Sequence, residues 1–427
     1  MMIHVKAYIL LFLIITDICA LAQEEKLTSD AINYSIIYNL EGLEAGAIGS
    51  LGLAKDKFEL ALSYNPQNQK AQLNLQICKD FINGEIKRKA VRHIFQGAML
   101  LEKAKMQESL YVFNEMNSSK QSYFPYYLYR GMVYFKLQEY DQAQDDFNQA
   151  LTIAPTNAFI FYQRGRVYAA MQEYNKAVAD FTRSMELQPG FDSNYYERGL
   201  IFSLQKKYDP AIKDYERALQ LNPSLKVRLT EGLKIYEAYN SRGVEYLQQK
   251  EYHKARQDFD TAIGINPIFA EPYLNRGIVY RNLDDILSAI RDFDMAILLD
   301  GKYVEAYYNR GLTFQSKENY TQAIRDLSKA LAFDPDHIGA HHSMGEIYFE
   351  LEQYEQAVKE FQSVIELDSL NYWAYYKKAL AFDYEKKFKE AIEAYDRFIR
   401  LAPDEHYEHK LKAWERSQRL KKWVYRR

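Results

Sequence analysis

The chain has 427 residues, with 55 Lys and Arg against 58 Asp and Glu and a formal net charge of −3. That balance excludes the basic stripe of a general nucleic-acid binder, so no DNA or RNA partner is expected. Its length alone predicts two or three domains, unless an internal repeat lets the core grow lengthwise.

The N-terminus opens with Lys6, an apolar run from Ala7 to Ile15, and Ala20-Leu21-Ala22 before Gln23. A basic start, a short apolar core and an A-x-A site predict a secretory signal peptide over 1–22, cut after Ala22. Asp17 interrupts the run, which is too short to span a bilayer. Thr16-Asp17-Ile18 before Cys19 is unlike a lipid-attachment site. Cleavage leaves Cys78 alone, so no intramolecular disulfide is possible and packing must hold the chain together. The leader predicts an exported protein, periplasmic or at the cell surface.

Residues 23–123 read as a degenerate helical region. Tyr38, Gly42, Ala45, Ala54, Phe58, Ala61 and Pro66 mark a faded repeat over 35–68. Residues 69–89 are helical but out of phase, and a second faded unit runs from 90 to 123 with Gly97, Leu100 and Phe113. From 124 the pattern sharpens into a 34-residue unit, with Tyr127, Gly131, Tyr134, Ala143, Phe147, Ala150 and Pro155 at positions 4, 8, 11, 20, 24, 27 and 32. Two amphipathic helices joined by a tight turn explain it. The small residues at 8, 20 and 27 let the helices press together, and proline cannot continue the second helix.

Copies begin at 158 and 192, completing three units over 124–225, and after an insertion at 226–235 five more fill 236–403. The insertion has helical spacing and extends a flanking helix or adds a turn. Gly301 and Ser369 replace the closing proline in the units at 270 and 338, where His341 also takes the aromatic place. Residues 404–427 read as a C-terminal capping helix. Trp414, Leu411 and Trp423 are expected to cover the last repeat, with Lys410, Lys412, Arg416, Arg419 and Lys421 in solvent.

The spacing resembles the tetratricopeptide repeat (TPR) family. That resemblance implies an all-α solenoid, a right-handed superhelix of about ten antiparallel helix pairs. It also implies that partners lie on a concave face built by positions 2, 5, 9, 12 and 13 of the first helices. In this sequence the expected groove residues are Phe135, Tyr162, Arg166, Tyr196, Asn240, Arg281, Tyr308, His342, Trp373 and Tyr376. Leu128, Met132, Leu200, Leu274, Leu312, Glu346, Phe349 and Tyr384 complete the face, with some of the set expected to pack against the next repeat instead. Aromatics with a few polar groups suit an extended or helical peptide. The Lys, Asn and Arg set of the family's two-carboxylate clamp is missing, so that ligand does not carry over. Asn275 and Asn309 resemble the start of a backbone-gripping asparagine ladder.

An Arg stands at position 7 and an Asp at position 23 in six units, from Arg130 and Asp146 to Arg310 and Asp326. In a hairpin turning near position 15 these lie at one height, predicting a repeated ion pair, within a unit or to its neighbour, rather than solvated charge. His342 and Glu346 share a helix face and are the one candidate metal pair, but His341 occupies a packing position. No nucleophile–base grouping, phosphate loop or CxxC is present, so neither catalysis nor a cofactor is expected. The sequence predicts a non-enzymatic scaffold for a protein or peptide, with no small-molecule substrate and membrane contact only by association. Docking of an envelope assembly through the convex face or basic cap, or glycan binding by the groove aromatics, are the other readings.

Overall fold

The computed structural model describes residues 30–116, 123–223 and 234–424, so the expected signal peptide and residues 226–233 of the insertion lie outside the described residues. Among the described residues there are 22 α-helices and no strands. They belong to two compact units, one ending at Ala238 and the other starting at Tyr239.

In the first unit the helices are α1 (30–47), α2 (Leu51–Tyr64), α3 (Gln69–Ile82), α4 (Arg88–Glu102), α5 (Met106–Glu115) and α6 (Phe124–Lys136). They continue with α7 (Tyr140–Ile153), α8 (Ala158–Ala170), α9 (Tyr174–Leu187), α10 (Asp192–Leu204) and α11 (Tyr208–Leu221). α12 (Lys234–Gln248) crosses into the second unit and starts two residues ahead of the repeat phase, inside the expected insertion. There follow α13 (Tyr252–Ile265), α14 (Ala270–Asn282), α15 (Ile286–Leu299), α16 (Val304–Ser316) and α17 (Tyr320–Phe333). The last are α18 (Ile338–Glu350), α19 (Tyr354–Leu367), α20 (Tyr372–Tyr384), α21 (Phe388–Leu401) and α22 (Tyr407–Val424). Ten hairpins result, with α3 and α22 as single helices, and successive hairpins pack on one another within each unit.

The turn of every hairpin has one geometry. Position 15 is left-handed, with φ of 63° at Gln138, 60° at Gln172, 57° at Lys206, 61° at Lys250 and 59° at Asp284. The Glu139 N–H reaches back to the Tyr134 carbonyl (2.9 Å) and the Gln138 N–H to Phe135 (3.1 Å), a Schellman cap that satisfies the last carbonyls of the first helix. Gly49 (φ 92°) and Ala104 (φ 58°) also take positive φ at position 15 of the faded units. A left-handed non-glycine residue costs about 1–2 kcal/mol, which the paired carbonyls offset. The second helix ends at the same place with or without proline, as Leu299 before Gly301 and Leu367 before Ser369 show.

Above the turn the two helices meet at positions 8 and 24. A Cβ placed on Gly277 would lie 2.6 Å from the Phe293 ring, and one on Gly131 2.8 Å from Phe147. Position 8 is therefore small because the ring of the second helix occupies its side-chain space. Ala289 and Ala296, at positions 20 and 27, are fully buried, as are their counterparts Ala143 and Ala150.

The Arg–Asp pairs form within each unit. Arg130, Arg164, Arg198, Arg242, Arg276 and Arg310 each donate Nε and Nη2 to the two oxygens of the Asp sixteen residues on, at 2.6–2.8 Å. A third N–H reaches the preceding unit. Nη1 donates to Asn148 from Arg164, to Thr182 from Arg198, to Asp260 from Arg276 and to Asp294 from Arg310, at 2.5–2.9 Å. Burial raises the Asp292 carboxyl while the Arg276 donors pull it back, and Arg276 is held charged more firmly than a free guanidinium.

α3 is the helix outside the repeat phase. It buries Leu73, Ile77 and Cys78, whose thiol burial pushes up to about 12. Its Asn74 donates to Asn39 (2.9 Å) and accepts from the Tyr129 hydroxyl (2.6 Å), tying α1 to α6.

The expected face of the terminal helix is corrected. α22 buries Ala413, Ser417 and Leu420, while Trp414 is 51% exposed and Leu411 points outward too; Trp423, though 69% exposed, keeps its expected contact, with its ring 4.7 Å from Phe388 of the last repeat. α22 repeats the phase of a ninth first helix, so Ala413 falls at the small position 8 and faces the array. Four of the five expected free cations are also engaged, Lys410 with Asp404 (2.8 Å) and Arg419 with Glu415 (3.6 Å) among them. Arg416 forms a bidentate pair with Asp383 (2.6 and 2.7 Å), and Lys421 pairs with Asp396 (2.7 Å).

Two outcomes follow from this packing. A double-mutant cycle on Arg276→Met and Asp292→Leu should show coupling of at least about 1 kcal/mol, because Arg276→Met strands the buried Asp292 carboxylate and Asp292→Leu leaves Arg276 only its Nη1 contact to Asp260. Gly277→Ala should destabilise the chain by about 1–3 kcal/mol in denaturant unfolding, since Phe293 must move.

Candidate functional site

The first helix of each hairpin carries the expected binding face, and its side chains fall into three kinds. Some belong to the core. Asn240 is 5% exposed and accepts from Asn275 Nδ2 at 3.1 Å, so both are consumed in a link between neighbouring first helices. Leu128, Met132 and Leu274 are buried as well. These four are removed from the expected open face, because positions 5 and 9 also meet the adjacent repeat. Asn309 turns back on the Glu305 carbonyl (2.7 Å), and the structure therefore builds no asparagine ladder from the predicted pair.

Others are half-buried aromatics wedged against their own hairpin or the start of the next helix. The Tyr162 ring lies 4.7 Å from Phe191 and 6.0 Å from Phe181, and burial pushes its hydroxyl pKa well up. Tyr196 sits 6.0 Å from Tyr215, Tyr308 4.6 Å from His337, and Tyr376 4.8 Å from Phe398. Trp373 is enclosed by Tyr376, His406 and His409 at 5.0–5.9 Å. Such rings are fixed before any partner arrives.

The third kind is charged. Arg166 stacks on the Phe135 ring (4.8 Å), donates to Gln163 (3.1 Å) and lies 3.9 Å from Glu197. Arg281 differs from every position-7 arginine. Its one recorded hydrogen bond is a long 3.5 Å contact from Nη1 to the Asn309 carbonyl, and among the described residues no carboxylate lies within 4.0 Å of it. Burial lowers its pKa.

His342 and Glu346 do lie together, with Nδ1 3.8 Å from Oε2, but Lys377 donates to the same carboxylate at 3.0 Å. Burial lowers the pKa of His342. His341 instead bonds Glu360 (2.6 Å) and His337 caps α18 by accepting from Ala340 N–H (3.0 Å), so the clustered histidines face different ways. Among the described residues no three metal-ligating side chains converge.

Two cavities open beside these residues. One, of about 240 Å³, lies between α3, α4, α6 and α8 and includes Phe135 and Arg166 with Lys70, Glu102, Lys136 and Gln163. The other, of about 390 Å³, lies between α20, α21 and α22 and includes Tyr376 and Tyr384 with the Asp383–Arg416 pair. Repeat-based reasoning missed Lys70 because α3 has no position in the 34-residue phase.

Models described as the tetratricopeptide repeat match residues 125–157, 160–191, 195–225, 236–269, 304–337 and 374–405, and a TPR repeat model matches 345–383. Among solved structures the chain is similar to the C-terminal part of a TPR repeat-containing protein from Cytophaga hutchinsonii. The two are 19% identical with a TM-score of 0.47, over 59% of this chain and 99% of that one. YrrB, described as a TPR protein with an unusual peptide-binding site, is 22% identical over 46% of this chain and 96% of its own, with a TM-score of 0.36. MamA is 20% identical over 45% and 96%, with a TM-score of 0.36. No curated protein matches the sequence.

The contrast between the two kinds of arginine gives a measurable difference. Arg281→Met should melt at the parent temperature or slightly above it, since an unpaired desolvated charge is removed. Arg276→Met should lose about 2–4 kcal/mol by leaving Asp292 unpaired. Equal losses in both would contradict the reading of Arg281 as uncompensated.

Proposed function

The chain belongs to the tetratricopeptide repeat family, and from that premise we propose that it is an exported, non-enzymatic scaffold that binds a protein or peptide along its first-helix face. The observation that carries this reading is Arg281, a half-buried cation without a carboxylate in a chain that pairs every position-7 arginine. A charge left in that state has its natural complement in a partner. Tyr308, Trp373 and Tyr376 add aromatic contact area at low cost in side-chain entropy. Because these rings are already wedged in place, little ordering remains for the binding step.

Export rests on the leader over 1–22. No helix of the described residues is long and apolar enough to cross a membrane. One observation favours a second docking surface, the exposed Trp414 and Trp423 on the basic helix α22.

Crosslinking capture from the exported fraction tests both surfaces. The Tyr196→Ala, Tyr308→Ala double variant should reduce partner capture by roughly tenfold or more, the effect of removing a hot-spot aromatic. Capture equal to the parent would move the site off the first-helix face, and loss on Trp414→Ser alone would assign it to α22.

A further inference from the structure

The side of α22 turned away from the array carries an apolar stripe that nothing among the described residues covers. Tyr407, Leu411 and Trp414 stand at i, i+4 and i+7, and at about 100° per residue they fall within one narrow sector of the helix. All three are exposed, and Gln418 extends the line toward the helix end. Of the chain's three tryptophans, Trp373 is enclosed by rings and Trp423 lies on Phe388, whereas Trp414 has no ring partner among the described residues. A continuous stripe of this kind marks a contact surface.

The charges beside the stripe name its occupant. On one flank Glu408 lies six residues before Trp414, and Arg419 and Lys422 lie five and eight residues after it. Glu408 and Lys422 have no ion-pair partner among the described residues, and Arg419 has only a 3.6 Å contact to Glu415. On the other flank Lys410 and Lys421 are already paired with Asp404 and Asp396. A two-fold axis near Trp414 lays a second α22 antiparallel on the first, with each flank against its own counterpart. Glu408 of each copy then falls beside Arg419 and Lys422 of the other, and the two helix dipoles oppose. A parallel pair would set like charges at one height. We propose that the stripe is the contact surface of a homodimer, two copies of the chain joined through antiparallel α22 helices. Two single-helix faces bury less than a standard interface, so the dimer is weak, with Kd on the order of micromolar. The inference names the occupant of the α22 surface and is independent of the first-helix reading.

Sedimentation equilibrium of the full chain at low salt, over roughly 1 to 200 μM, tests this. The parent should approach twice its monomer mass. Trp414→Ser should associate at least about tenfold more weakly at the parent melting temperature. Two charge variants, Glu408→Lys and the double Arg419→Glu, Lys422→Glu, should each self-associate poorly, because like charges then meet on the flank. Mixed in equal amounts they should form a heterodimer of about parent affinity, since both flanks are again complementary. A parent that stays monomeric, a mixture that does not associate, or charge variants that dimerise like the parent would overturn the proposal. So would a monomeric parent whose Trp414 is needed to float with anionic vesicles or to capture a different protein, since the stripe would then have another occupant. The Tyr196→Ala, Tyr308→Ala variant should dimerise like the parent, so the dimer and the first-helix site stand or fall separately.

Discussion

One guanidinium in each of six repeats determines how those hairpins are held. Two of its N–H donors close the hairpin onto its own Asp, and in four units a third reaches back to the preceding hairpin. The Asp side chains are only 5–8% exposed, so each pair must form completely or leave a buried charge. A buried pair contributes less to net stability than to geometry, because desolvation cancels much of the attraction. Its worth here is register. The fork fits its carboxylate at one height and one angle, and the glycine at position 8 then allows the ring at position 24 to seat. Where the pair is missing, other groups take its place. Met344 stands at position 7 of the seventh unit, and Glu360 accepts from His341 instead, while Lys378 reaches Gln362 across the next boundary.

Much of this was legible from residue spacing. The small residues at 8, 20 and 27 announced two helices in close contact, and the equal height of positions 7 and 23 announced the ion pair. The left-handed residue at position 15 was not legible, since Gln, Lys, Asp and Glu occupy it and only Gly49 carries the usual signal. The backbone makes that turn for its caps, whatever side chain stands there. The face of α22 was misread for a related reason. Trp414 and Leu411 look like core by composition, yet continuing the 34-residue phase places Ala413 inward, and phase prevails over hydrophobicity.

The candidate face was legible by position but not by state. Asn240 and Tyr196 are both polar or aromatic groups on first helices, and nothing in their spacing separates the one consumed in the core from the one left half-buried. Neighbouring repeats decide that, by how far each helix overlaps the next. Lys70 was beyond reach for a different reason, because α3 obeys no period. The array thus neutralises its structural arginines in pairs, while Arg281 is half-buried without a carboxylate.

Because each arginine touches only its own hairpin and the one before it, damage should travel one hairpin and stop. Native-state hydrogen exchange on Arg276→Met measures this directly. Amides of α12 to α15 should lose protection while those of α18 to α21 keep the parent values. Uniform loss of protection across α12 to α21 would contradict a chain held together by nearest-neighbour locks.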